Sequence, residues 1–153
     1  MGGKFDVIFL LFQSFGQFKN SVDDQRVLQN VFLALKSAGK FLIDLRNPDL
    51  VFSKIKSGNN AVFKPDYSLE NGGSVQIKES IDDSNRWRWD AVWKLNDKTI
   101  KNYQSYRLYN LEEIGKMLKD TGFRIEKIWG DYTGEEYSPQ NSKRIIILAY
   151  KPY

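Results

Sequence analysis

"FDVIFLLFQSFGQF", Phe5 to Phe18, decides how the rest of the chain is read. Its first half, Val7-Ile8-Phe9-Leu10-Leu11-Phe12, is an unbroken apolar run of β-forming residues. A strand with one wet face alternates polar and apolar residues. A continuous apolar one is expected to be a central parallel strand, covered on both faces. The second half, Gln13-Ser14-Phe15-Gly16-Gln17, is polar, contains glycine and reads as a loop.

Outward from that strand, Ser21 is placed to cap a helix, with Asp24 three residues on in capping-box position. Val27, Leu28, Val31, Phe32 and Leu35 recur at helical spacing as its apolar stripe, and Gly39 is read as its left-handed stop. "KFLIDL", Lys40 to Leu45, is a second buried strand. Strand, helix and strand in this order form a right-handed βαβ unit with parallel strands. Asn47 to Gly73 reads as irregular, punctuated by Pro48, Gly58, Pro65, Gly72 and Gly73. From Ser74 the period falls to two. "SVQIKESI", "RWRWDAVWKL" and "TIKNYQSYRLY", divided by turns at Asp82–Asn85 and Asn96–Lys98, predict an antiparallel three-stranded meander. Trp87, Trp89, Ala91, Trp93 and Leu95 share one face of it, expected to pack on the core or on another subunit. Asn110 and Glu113 form a second capping box, ahead of a stripe of Leu111, Ile114, Met117 and Leu118 and a stop at Gly122. "FRIEKIWGDY" and "RIIILAY" are the last strands, the second of them central in character.

The chain has 153 residues, with 41% hydrophobic and 27% charged side chains, which suits a single α/β domain over 1–153 carrying an antiparallel insert at 74–109. There is no Cys and no His. That composition excludes thiol nucleophiles, disulfides, histidine bases and the usual zinc sites, and fits a cytoplasmic protein with no bound metal. A net charge of +4 without a basic block gives no footprint for nucleic acid. Val7–Phe12 is too short to span a bilayer, so no membrane partner is expected.

Three stretches together carry a resemblance. "FDVIFLLFQSFGQF", "VLQNVFLALKSAGKFLIDLRNPD" and "YRLYNLEEIGKMLKDTGFRIEKIWGDYTGEEYSPQNSKRIIILAYKP" are similar, in order and spacing, to the C-terminal half of class I S-adenosylmethionine-dependent methyltransferases. The branch resembled is the small-molecule one that includes glycine and amino-sugar N-methyltransferases. "LKSAGKFLID" resembles the turn into the family's strand five, and "YRLYNLEEIGKMLKDTGF" the element before strand six. The resemblance implies a partial Rossmann-like sheet of the family's strands 4, 5, 7 and 6, with the last strand antiparallel. It also implies S-adenosylmethionine as cofactor and a small-molecule substrate. The family's glycine-rich nucleoside loop has no counterpart between residue 1 and residue 153. Gly2-Gly3 and Gly72-Gly73 do not stand between a strand and a helix, as such a loop requires.

By the same resemblance, Leu11 and Phe12 line the cofactor side of the site. Gln13, Ser14 and Gln17 face the substrate by that resemblance. Arg107 and Tyr109 of "YRLY" join the substrate-binding set on their chemistry, Arg107 reading equally as a fork for a carboxylate or phosphate and as a surface arginine on a strand. Asp131 and Tyr132 lie near the same end of the fold. The unprotected strand Val7–Phe12 is expected to be covered by a second copy or a partner chain. The competing reading is a non-catalytic, oligomeric interaction module derived from a methyltransferase.

Overall fold

The computed structural model describes residues 3–64, 66–70 and 72–153, so that Gly2 and Pro65 lie outside the described residues. In chain order the elements are β1 (Phe5–Leu10), α1 (Ser21–Ala34), β2 (Leu35–Arg46), α2 (Pro48–Ser57), β3 (Ala61–Phe63) and β4 (Tyr67–Ser68), followed by β5 (Ser74–Ile81), β6 (Trp87–Leu95), β7 (Lys98–Tyr106), α3 (Leu111–Thr121), β8 (Arg124–Trp129) and β9 (Arg144–Tyr150). They form two compact units. One runs up to Leu50 and resumes at Leu108–Tyr153; the other is Val51–Arg107. No helix among the described residues is long and apolar enough to cross a membrane.

In the first unit the sheet order is β1-β2-β9-β8, with β1 parallel to β2 and β9 antiparallel to both of its neighbours. This is the strand order the resemblance implies. Alternation puts Phe41, Ile43 and Leu45 of β2 on one face, in register with Ala149, Ile147 and Ile145 of β9. Leu28 and Leu35 from the first βαβ unit and Ile114 and Leu118 of α3 bury against that face, with Ile8 and Leu10 packed on its margin. The two-sided burial expected of β1 belongs instead to β9, where Ile145, Ile146 and Ile147 are successively buried. β1 is an edge strand, and Phe5, Val7 and Phe9 on its other side are exposed by 53%, 43% and 57%.

Local chemistry explains most boundaries and corrects three expectations. Asn20, not Ser21, caps α1: its side chain accepts from the Val22 amide at 3.0 Å. Asp24, expected in a capping box, is instead turned into the interior and is 1% exposed. The stop is also different. Ala38 takes the positive φ of 60°, and β2 already begins at Leu35. Gly39 is required by space, since an added Cβ would lie 2.9 Å from the Lys36 carbonyl oxygen. α3 follows its pattern, with a complete Asn110–Glu113 capping box and Gly122 at φ 107°.

The stretch read as irregular contains α2, β3 and β4. Pro48 is the first residue of α2, a position that its missing N–H suits, and Asn47 accepts from the Asp49 amide at 3.1 Å. In the second unit the sheet order is β3-β5-β6-β7, with β4 also paired to β5. The meander registers as Ile77↔Ala91 and Ala91↔Asn102, and a two-residue turn at Asn96-Asp97 joins β6 to β7 with Asn96 at φ 50°. Val75, Trp87 and Ala91 form the buried side of this sheet.

Two variants test these assignments by chemical denaturation. Ile147 is 0% exposed in the centre of β9, and Ile147→Ala is expected to cost about 2–5 kcal/mol. Asn110→Ala removes one cap and is expected to cost about 1 kcal/mol. Equal losses would mean that β9 is not the centre of the core.

Candidate functional site

The loop after β1 sits at the carboxyl end of a parallel strand, where open α/β sheets bind ligands. Two consecutive non-glycine residues in it are left-handed, Phe12 at φ 58° and Gln13 at φ 60°. Each such residue costs on the order of 1–2 kcal/mol, so the surroundings must enforce the conformation. Three hydrogen bonds from the end of β2 do so. The Phe12 amide donates to Asp44 Oδ2 at 2.9 Å, the Gln13 amide to the Asp44 carbonyl at 3.2 Å, and the Arg46 amide to Gln13 Oε1 at 2.7 Å. The result turns Leu11 and Phe12 outward, exposed by 37% and 76%.

Gln13 does not present its amide to solvent. It is buried, and its Nε2 donates to the Phe15 carbonyl at 3.0 Å. The side chain read as facing substrate shapes the loop in this structure. Ser14 and Gln17 are exposed on the loop surface, with Gln17 Nε2 donating to the Ser14 carbonyl at 3.4 Å. Beyond them Phe15 is buried against the ring of Tyr109, centroids 5.5 Å apart. Tyr109 is buried too, and its hydroxyl donates to Asp24 Oδ2 at 2.7 Å. Tyr109, another residue expected to face substrate, thus lies in the core as a support for the loop. Arg107 is exposed just past β7, in the second unit.

Asp44 was not singled out in the sequence, and it organises the site. Its side chain is wholly buried. Besides the Phe12 amide, Oδ2 accepts from the Tyr132 hydroxyl at 2.7 Å, and Oδ1 accepts from Arg144 Nε at 2.5 Å. The Arg144 guanidinium lies 5.1 Å from the Tyr132 ring centroid, and that ring meets Phe12 at 6.5 Å with a 60° tilt. Partial burial, and then the hydrogen bond to Asp44, raise the Tyr132 pKa; the charge of Arg144 opposes them. Asp131, its neighbour, is half-buried and accepts from the amide and hydroxyl of Thr133. One signal for Asp44 was present: an acid inside "FLIDL" must find partners if the strand is buried. Asn47, also fully buried, pins the far loop by donating Nδ2 to the carbonyls of Pro139 and Ser142. No cluster of metal-ligating side chains occurs among the described residues.

What this arrangement can do is orient. It offers an apolar and aromatic lip with polar neighbours, and its central carboxylate is already spent on three donors. No protein-family model matches the chain. It is 26% identical over 152 residues to "Putative methyltransferase YqeM" of Bacillus subtilis (strain 168), a match covering 97% of this chain and 60% of that protein. Among solved structures it superposes on an S-adenosylmethionine-dependent methyltransferase from Clostridium acetobutylicum ATCC 824 with a TM-score of 0.80 at 19% identity, covering 100% of this chain and 61% of the other. It also superposes on CalS10 of Micromonospora echinaspora, an amino pentose methyltransferase solved with S-adenosylmethionine bound, with a TM-score of 0.64 at 11% identity, covering 99% and 60%. The chain thus spans about three-fifths of the length of each.

The alkaline side of the stability profile tests the Tyr132–Asp44 bond. A phenol whose folded pKa is raised stabilises the fold fully below its ordinary value of about 10, and that contribution is lost as pH rises through the raised value. Tyr132→Phe is therefore expected to shallow the loss of stability above about pH 10, measured by denaturant titration at several pH values. Identical alkaline slopes for the two proteins would show that the hydroxyl is not held by Asp44.

Proposed function

We propose that this chain, which has the fold of the C-terminal three-fifths of S-adenosylmethionine-dependent methyltransferases, builds the methyl-transfer side of such an enzyme acting on a small molecule. The observation that carries the reading is the loop after β1. It combines two enforced left-handed residues, an outward Leu11 and Phe12, and a place at the carboxyl end of a parallel strand in the corresponding strand order. Strain of this kind is kept where geometry matters.

Leu11 and Phe12 would meet the cofactor. Ser14 and Gln17 are the side chains this loop offers to a substrate, while Gln13 and Tyr109 hold the loop that carries them. When bound, S-adenosylmethionine supplies a methyl group on a sulfonium, which a nucleophile's lone pair takes as the carbon–sulfur electron pair returns to sulfur. The chain's own task is alignment, since direct displacement depends chiefly on placing the reacting atoms in line. Its residues fit one side of the cofactor. The glycine-rich nucleoside loop is not among these 153 residues and would come from further polypeptide or a second chain. β1 is the natural place for such a chain to dock, with its outer edge unpaired among the described residues and Phe5, Val7 and Phe9 exposed beside it.

Titration of the isotope-labelled chain with S-adenosylhomocysteine, followed by amide NMR, tests the reading. Saturable shifts at Leu11 to Ser14 are expected, and micromolar affinity by calorimetry would mean that a second copy completes the site. No shift at millimolar cofactor would overturn the reading in favour of a non-catalytic assembly module. Sedimentation tests the docking edge separately. Association that rises with concentration is expected, and a monomer at every concentration would remove β1 as an oligomer contact.

A further inference from the structure

We infer that Asp44 is a positioning residue of the candidate methyl-transfer site: through the Phe12 amide and the Tyr132 hydroxyl it sets two exposed aromatic side chains as one ligand-facing corner. The inference rests on the methyltransferase reading for its function, but its geometry stands apart from that reading.

A carboxylate at this place in the sheet is costly unless it is used, because the neighbouring positions Leu42 and Ile146 are apolar and an aliphatic side chain would satisfy the strand. Asp44 is wholly buried, yet two of its three donors belong to loops rather than to the sheet. Those donors carry side chains exposed by 76% at Phe12 and 62% at Tyr132. A carboxylate that served the core alone would be bonded to core elements. This one reaches two loops, 32 residues back in the chain to Phe12 and 88 residues forward to Tyr132. Arg144 neutralises it from the head of β9 and lies against the Tyr132 ring, so that the ring is held at its hydroxyl and over its face.

The opposite end of the same loop is fixed in a similar way. Phe15 packs on Tyr109, whose hydroxyl is bonded to the buried Asp24. Two buried aspartates, each bonded to a tyrosine hydroxyl, therefore bracket the loop, Asp44 with Tyr132 at Phe12 and Asp24 with Tyr109 at Phe15. A loop gripped at both ends does not serve as a lid. It is preorganised, as a site whose work is alignment requires.

Amide hydrogen exchange on the 153-residue chain tests the clamp, with β9 amides as the internal reference. Asp44→Asn is expected to speed exchange at Phe12 and Gln13 at least tenfold relative to β9, and Tyr132→Phe to do so by a few fold. Tyr132→Phe changes an exposed side chain, and it keeps the test available if Asp44→Asn does not fold. Unchanged exchange at Phe12 overturns the inference, and so does a uniform rise across β9, which would mark Asp44 as a support of the fold alone. S-adenosylhomocysteine titrated into the same samples separates the two readings. A wild-type chain that does not bind it overturns the proposed function and leaves the clamp standing. Wild-type binding weakened about tenfold in the variants ties the clamp to the site, and binding that neither variant weakens overturns its role there.

Discussion

The constraint on which the first unit depends is the burial of the Asp44 carboxylate in the sheet. A charge without solvent must be matched by donors, and Asp44 takes one each from Phe12, Tyr132 and Arg144. Each of these donors comes from a different part of the chain. By satisfying one carboxylate, the fold fixes the loop after β1, the segment after β8 and the head of β9 relative to β2. The left-handed pair Phe12-Gln13 is the local cost of that arrangement, and the outward Leu11 and Phe12 are its product.

Around this point the sheet is built asymmetrically. Both α1 and α3 contribute to the one apolar cluster on the face of Phe41, Ile43, Ile145 and Ile147. β1 lies at the margin, with Ile8 and Leu10 packed and Phe5, Val7 and Phe9 in solvent. An exposed parallel edge strand of this apolarity is a surface that further polypeptide would stabilise. The solved methyltransferases that superpose on the chain are longer, the chain covering about three-fifths of each.

The second unit obeys simpler rules. Its meander keeps one register across β5, β6 and β7, set by short turns in which Asn85 and Asn96 take the positive φ values. Within it Asp82 receives the Ser105 hydroxyl and the amides of Ser84 and Arg86, a turn network that needs no ligand. The tryptophan row divides as a packed sheet face would, with Trp87 buried and Trp89 and Trp93 partly so.

The sequence by itself determined whatever repeats along the chain. The stripes of α1 and α3, the Asn110 cap, the Gly122 stop, the period-two meander and the apolar character of β2 and β9 are local patterns, and side-chain spacing reports them directly. α2 was hidden because Pro48 reads equally as a break and as a helix start. Only the tertiary structure decided which apolar strand is central, because burial depends on neighbours and β1 has just one in this sheet. It alone also revealed Asp44, whose donors lie 32, 88 and 100 residues away, and the burial of Gln13 and Tyr109, which the sequence reading places toward a substrate. A hydrogen bond between residues so far apart leaves no period in the sequence; it exists only once the chain has brought them together.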